Sequence, residues 1–362
     1  MHLGVKLTLV SVASVLAAAA AYFYQKKKKE IIPWSWEEVG KLTKLNLYPL
    51  KSGHRIELVK AECTEFGLKQ ADEGDNVNQL RDRTNFRCLV VYSENDNEFR
   101  TARTYPKMVL IDVSIHDDQY LAVDAPTMRT LYVKIPNNDV NPESFVRLHK
   151  GEKIYAIDCG DEAASWFSRY ILEKDSGLRL GFHDASRRRD ISKTHKTILD
   201  YYTNLSSNST GLYSDLTAVL LVNHQSIRDL NKRIGTSSVT VDNFRPNVVV
   251  DGPNLKPYAE DDWEWIKIGD VVLKNVKECT RCIMTTVDPE NASRSSDREP
   301  LKTLETYRMS NGPNTLPTMG INCEVRVKGT IKLGDPVFIP KRMTIQEAKA
   351  NGTSANGTAK TE

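Results

Sequence analysis

The sequence predicts a β-rich α+β fold, a barrel or sandwich, and three observations carry that expectation. Short apolar runs recur between turn residues, the pattern Ile-Lys-x-Gly-Asp occurs twice in the second half, and beyond residue 30 helical periodicity marks two segments. The elements follow in order. Val39–Tyr48 alternates as a strand and stops at Pro49. Arg87–Tyr92, Met108–Val113 and Thr130–Ile135 are further strands, bounded by Asn, Asp, Gly or Pro. Ala163–Leu172 has the spacing of a helix, with Asp161 as its N-cap. A polar stretch from Asp184 to Ser209 divides the chain. Ala218–Val222 reads as a buried strand. Ser226–Ile234 reads as an amphipathic helix capped by Ser226 and stopped at Gly235, and Asn247–Val250 as another strand. Ile266–Val272 and Ile331–Val337 echo each other, each being two extended runs joined at a Gly-Asp turn. The organisation expected is residues 1–30 as a membrane anchor with a basic flank, 33–180 as a β-rich domain, 181–340 as a second domain and 341–362 as a disordered tail.

The anchor rests on Leu7–Tyr24, which carries no charge and is bounded by Lys6 and by Lys26–Lys29. That length suits one helical crossing of a bilayer. Lysines on the downstream side hold that side in the cytosol, and Trp34 and Trp36 suit an interfacial collar. A cleaved signal peptide is the rival, with Ala17–Ala21 offering the small residues of a cleavage site.

Composition removes several classes of function. The 362 residues are 40% hydrophobic, enough to bury a sizeable core, and the net charge is only +3. The basic patch Arg187-Arg188-Arg189 is followed by Asp190 and reads as a solvated loop; a nucleic-acid binder would concentrate more cations on one face. Six cysteines over so long a chain argue for reduced thiols and a cytosolic setting rather than a disulfide framework. No Gly-rich dinucleotide fingerprint and no phosphate-loop motif follows any expected strand.

Cys279-Thr280-Arg281-Cys282 carries the most chemistry per residue. A zinc site would need a second pair of ligands, and neither another C-x-x-C nor an H-x-x-x-H is present. A thioredoxin-type couple would open a helix, whereas Val271–Leu273 and Ile283–Val287 on either side read as strands. Two small buried residues in a strand remain one account of the pair. One thiolate holding a soft metal, with Arg281 facing an anionic cofactor, is the other.

The wider pattern resembles a known family. Asn243-Phe244-Arg245-Pro246-Asn247, Tyr258–Trp263, Cys279–Cys282, Thr286-Val287-Asp288-Pro289 and Glu299-Pro300-Leu301 follow one another as in the C-terminal MOSC domain of molybdenum-cofactor sulfurases. With Tyr48-Pro49-Leu50-Lys51-Ser52 and the N-terminal span, the chain from about residue 37 to about 340 is similar to the mitochondrial amidoxime-reducing components. The resemblance implies a MOSC-type β-barrel with an N-terminal β-rich domain. It also implies a molybdenum-molybdopterin cofactor (Mo-MPT), with Cys282 as the metal ligand and Cys279 as a bystander. Carried over one position at a time, Lys51, Ser52 and Arg83 match phosphate-side contacts, and Arg245 and Asn247 fall on a cofactor-contacting motif. Thr217, Thr280 and Arg281 lie beside the cofactor in that pattern, and Asp215 is the candidate proton relay. Three positions depart from it: the family's Thr-Ser pair stands here as Leu216-Thr217, Thr280 takes the place of Ser or Pro, and near Gly320 a cofactor-adjacent Tyr gives way to Asn322. The activity implied is reduction of amidoximes, hydroxamic acids and nitrite, with electrons from NADH-cytochrome b5 reductase through cytochrome b5. The implied location is the mitochondrial outer membrane facing the cytosol, with the endoplasmic reticulum and peroxisome as alternatives. A molybdenum-cofactor carrier and a sulfurase-related protein stay open as rivals, although these 362 residues hold no pyridoxal-phosphate domain.

Overall fold

A computed structural model describes residues 31–71, 88–117, 119–137, 139–206, 211–235 and 239–341. The expected anchor, 1–30, lies outside the described residues, and so does the tail from 342. No helix among the described residues is long and apolar enough to cross a membrane. Residues 38–339 form one compact unit. Residues 31–37 and 340–341 belong to a second, in which the Lys341 amide donates to the Ser35 carbonyl at 3.1 Å.

The largest sheet has strands β1 (Trp36–Leu47), β2 (Ile56–Leu58), β3 (Val219–Asn223), β4 (Val248–Asp251), β5 (Trp265–Ile268), β6 (Val271–Thr280), β7 (Thr318–Val327) and β8 (Pro336–Pro340). Their order is β4-β3-β7-β6-β5-β8-β1-β2, and pairing of β4 with β1 closes a seven-stranded barrel on which β2 rides. The alternation seen in the sequence is the reason: Val219 and Leu221, Val248 and Val250, Ile266 and Ile268, and Ile321 and Cys323 fill the interior. Leu220, Val222, Val249 and Met319 face the other way and bury Ile227 and Leu230 of helix α2 (His224–Ile234). The Gly-Asp turns form as expected, with Gly269 and Gly334 at positive φ.

Between β2 and β3 the chain builds smaller sheets. A four-stranded one holds Leu89–Ser93, Leu178–Phe182, Lys153–Asp158 and Glu143–Arg147. It shares a core with helix α1 (Asp161–Leu172) through Phe167 and Ile171 and with a three-stranded meander through Val113, Leu121 and Leu131. The expected strand at Met108–Val113 is split. Pro106 fixes the backbone for a 3-10 turn over Pro106–Leu110, and the strand begins only at Asp112.

Both helix caps differ from expectation. Gly160, at φ 91°, precedes α1, so Asp161 is the first helical residue. Asn223 caps α2 by accepting from the Gln225 amide. Ser226 is not the cap, because its hydroxyl donates to Glu260 at 3.0 Å. The basic triplet is not uniformly solvated either. Arg187 and Arg188 have half-exposed side chains, but Arg189 is buried in a bidentate pair with Glu152, at 3.0 and 2.7 Å.

Candidate active site

A cleft of about 220 Å³ gathers the residues that the sequence singled out. Lys51, Ser52, Asp215, Thr217, Arg245, Asn247, Thr280, Arg281 and Cys282 all line it. Arg83 lies outside the described residues.

The Lys51–Ser52 turn follows β1. The Lys51 amide donates to the Leu89 carbonyl at 2.8 Å, which ties the barrel strand to the four-stranded sheet. Ser52 takes φ 69°, a left-handed conformation that costs a residue with a Cβ, and the close packing of this turn holds it there. The Lys51 ammonium is buried and donates to the Tyr213 carbonyl at 2.8 Å and to Asp215 Oδ1 at 2.5 Å. Asp215 also lies 3.6 Å from His149 Nε2, which is 2.7 Å from Arg103 Nη2. The segment carrying Tyr213 and Asp215 is held from behind: Arg189 Nη1 donates to the Ser214 carbonyl at 2.5 Å. Thr217, just before β3, donates its hydroxyl to the amide oxygen of Asn322 on β7 at 3.2 Å.

The opposite wall comes from Asn243–Asn247 and from the end of β6. Thr240 and Asn243 form a capping box around the turn Val241–Phe244. Arg245 then adopts φ 54°, donates to the Gly53 carbonyl at 2.7 Å and stacks 4.1 Å from the centre of the Tyr48 ring. Asn247 is almost fully buried and uses its side chain on backbone, accepting from the Leu220 amide at 3.0 Å and donating to the Asn46 carbonyl at 3.1 Å. It clamps β1 to β3 from within the cleft wall.

The two thiols are not equivalent. β6 ends at Thr280, and Cys282 starts a 3-10 turn over Ile283–Thr286, so the strand expected after Cys282 is absent. Pairing of Cys282 with the turn explains this, since its carbonyl accepts from the Thr285 amide and hydroxyl, both at 3.0 Å. The turn leaves Cys282 exposed, while Cys279 is half-buried. Arg281 folds back on Cys279, with Nη1 donating to Sγ at 2.9 Å and Nη2 to the Phe244 carbonyl at 2.6 Å. Cys279 is thereby engaged by the protein itself.

Arg103, His195 and Lys277 were not singled out by the sequence, and no local signal marked them. Burial lowers the pKa of both the His195 imidazole and the Lys277 ammonium. The lining totals five cations (Lys51, Arg103, Arg245, Lys277, Arg281) against one carboxylate, Asp215, so the cleft suits an anion.

Two sequence families match the chain: MOSC N-terminal beta barrel domain over residues 39–174 and MOSC domain over residues 208–338. The chain is 35% identical to "Mitochondrial amidoxime-reducing component 1" of Mus musculus, over 84% of this chain and 83% of that one. It is 33% identical to "Mitochondrial amidoxime reducing component 2" of Bos taurus, over 83% and 84%. The Danio rerio "Mitochondrial amidoxime-reducing component 1" is also 33% identical, over 83% and 85%. Likeness of this extent, with both family models matched along the chain, places it in the family of the mitochondrial amidoxime-reducing components.

Proposed function

We propose that this chain is a molybdenum-dependent oxidoreductase that uses Mo-MPT to reduce amidoximes, hydroxamic acids and nitrite. One observation carries the reading: an exposed thiol, Cys282, stands on the wall of a strongly cationic cleft, in a chain whose relatives are named amidoxime-reducing components.

The donor set fits such a cofactor. A thiolate is a soft ligand suited to the metal, and of the two thiols on the cleft wall Cys282 is the exposed one, while Cys279 accepts from Arg281. Ammonium and guanidinium groups suit a dianionic phosphate through charge-assisted, partly bidentate bonds. Lys51, Ser52 and Arg83 would hold the phosphate, as the family pattern implies. Arg245, Asn247, Thr217, Thr280 and Arg281 shape the polar wall, Asn247 by holding its strands together. When bound, the cofactor supplies two electrons to the N–O bond.

The chain's own part is to bind, orient and supply protons. Reduction of an N-hydroxyl group consumes two protons and yields water and the reduced nitrogen. Asp215 is the relay candidate, because its carboxylate joins Lys51 Nζ to the His149–Arg103 pair at the cleft edge. Electrons come from cytochrome b5, itself reduced by NADH-cytochrome b5 reductase. The absence of a dinucleotide fingerprint from the sequence supports an external donor. The relatives' names support a mitochondrial location. Residues 1–30 are proposed as the anchor in the outer membrane, with the catalytic part in the cytosol, on the strength of the uncharged run Leu7–Tyr24 and the lysines after it. Incubation of the molybdenum-loaded chain with reduced cytochrome b5 and benzamidoxime tests the reading. Benzamidine is the expected product, and none formed from a fully loaded protein overturns it.

A further inference from the structure

Lys277 is a cleft cation that the family motifs do not account for. It sits where β6 departs from regular pairing with β7: the register shifts between Asn275 and Lys277 and again between Glu278 and Thr280. Bulges of this kind re-aim side chains beside functional sites. Across the ladder Lys277 faces Asn322, the position at which the family pattern carries a cofactor-adjacent Tyr.

Among the described residues its charge has no ion pair, and Glu278 favours it only through space, by less than burial disfavours it. The residue is 8% exposed, and its ammonium lies 4.7 Å from the centre of the Tyr202 ring. The ammonium donates to the Glu278 carbonyl at 2.7 Å. The Glu278 carboxylate is directed elsewhere, accepting from the Tyr202 hydroxyl at 2.5 Å. Among the described residues no carboxylate lies within ion-pair distance of Lys277. Lys51, as deeply buried in the same cleft, is neutralised by Asp215. An ammonium has three donors, and desolvating it without an anion is costly, a cost already visible in its lowered pKa. Lys277 also lines a second cavity, of about 440 Å³, on its other side, and among the described residues it is the one side chain common to both.

We propose that Lys277 binds an oxyanion, its ammonium being the counter-charge for a negatively charged oxygen group of the molecule that occupies the cleft. That group belongs either to the cofactor or to a carboxylate-bearing substrate, each reaching Lys277 from the cationic cleft, because Asp261, Asp262, Glu264 and Glu278 line the second cavity and repel an anion there. The proposal rests on the reductase reading only for the identity of that molecule.

Inorganic phosphate is the probe, titrated by calorimetry into the full chain freed of cofactor. Lys277→Met keeps the length of the side chain and removes its charge; Lys277→Arg keeps the charge. The wild type and Lys277→Arg bind phosphate within a few-fold of each other, and Lys277→Met binds about tenfold or more weakly. A melting temperature of Lys277→Met at or above the wild type's shows that the loss is not unfolding. If that variant does not fold, Lys277→Gln is read in the same way. Phosphate binding that is unchanged without the charge overturns the proposal. Two further arms identify the source of the oxyanion. A fall in pterin content of the purified Lys277→Met protein assigns it to the cofactor. Full pterin content, with KM for a carboxylate-bearing N-hydroxylated substrate raised about tenfold relative to a neutral one, assigns it to the substrate. A wild type that binds phosphate through Lys277 yet does not reduce benzamidoxime removes the reductase reading and leaves this one standing.

Discussion

Replacing Arg189 by Met strands a buried carboxylate, and the cost is calculable. Both partners are nearly inaccessible, with side chains 3% exposed for Arg189 and 5% for Glu152. The guanidinium donates twice to Glu152 and again to the carbonyls of Ser214 and Leu212. Removing one partner of such a pair leaves an uncompensated charge and costs about 3–5 kcal/mol. Replacing both by apolar residues of similar volume is close to neutral, because neither charge then has to be desolvated. The ordering is therefore specific. Arg189→Met alone is the least stable, and adding Glu152→Met recovers most of the loss. Urea denaturation of the two single variants and the double, fitted with a common slope, gives the coupling energy. A loss below about 1 kcal/mol for Arg189→Met would place the guanidinium in solvent and refute the pair. Additive effects in the double variant would refute the coupling while leaving the residues merely well packed.

Three further outcomes follow from the same structure. Burial raises the Glu260 carboxyl to about 7 from an ordinary 4.5, so the folded chain holds the extra proton and loses stability as pH rises from about 4.5 through 7, by roughly 3 kcal/mol; Glu260→Gln removes that slope in denaturation midpoints taken across the window. Burial pushes the His183 imidazole down to about 4, so the unfolded chain binds the proton first and stability falls as pH drops from 6.5 toward 4; His183→Gln flattens that acid arm, and an unaltered arm excludes His183 as its source. Asp215→Asn lowers turnover of benzamidoxime by about a hundredfold and changes the pH profile, and an unchanged rate and profile remove Asp215 from proton transfer.

The barrel strands were readable because their two faces bury against different things, the interior on one side and α2 on the other. Val219–Val222 therefore shows as an unbroken apolar run, and Trp36–Leu47, with one face open, shows as alternation. What local sequence did not determine were choices settled at a distance. Ser226 is as good a cap as Asn223 until Glu260, 34 residues on, takes its hydroxyl. Nothing in Arg187-Arg188-Arg189 says which arginine turns inward, since Glu152 decides it from another element. The cleft itself was largely legible, because its cations and thiols sit in ordered motifs. Lys277 escaped because a bulge in β6, not a motif, turns it toward the cleft.

The central claim is that Cys282 alone of the two neighbouring thiols holds the metal. Its exposure on the cleft wall, against the engagement of Cys279 by Arg281, is the structural basis of that asymmetry. Molybdenum content of the wild type, Cys282→Ala and Cys279→Ala, each loaded under the same conditions, tests it most directly. Retention of molybdenum in Cys279→Ala with its loss in Cys282→Ala is the result expected. Equal loss in both variants, or full retention in Cys282→Ala, contradicts the assignment.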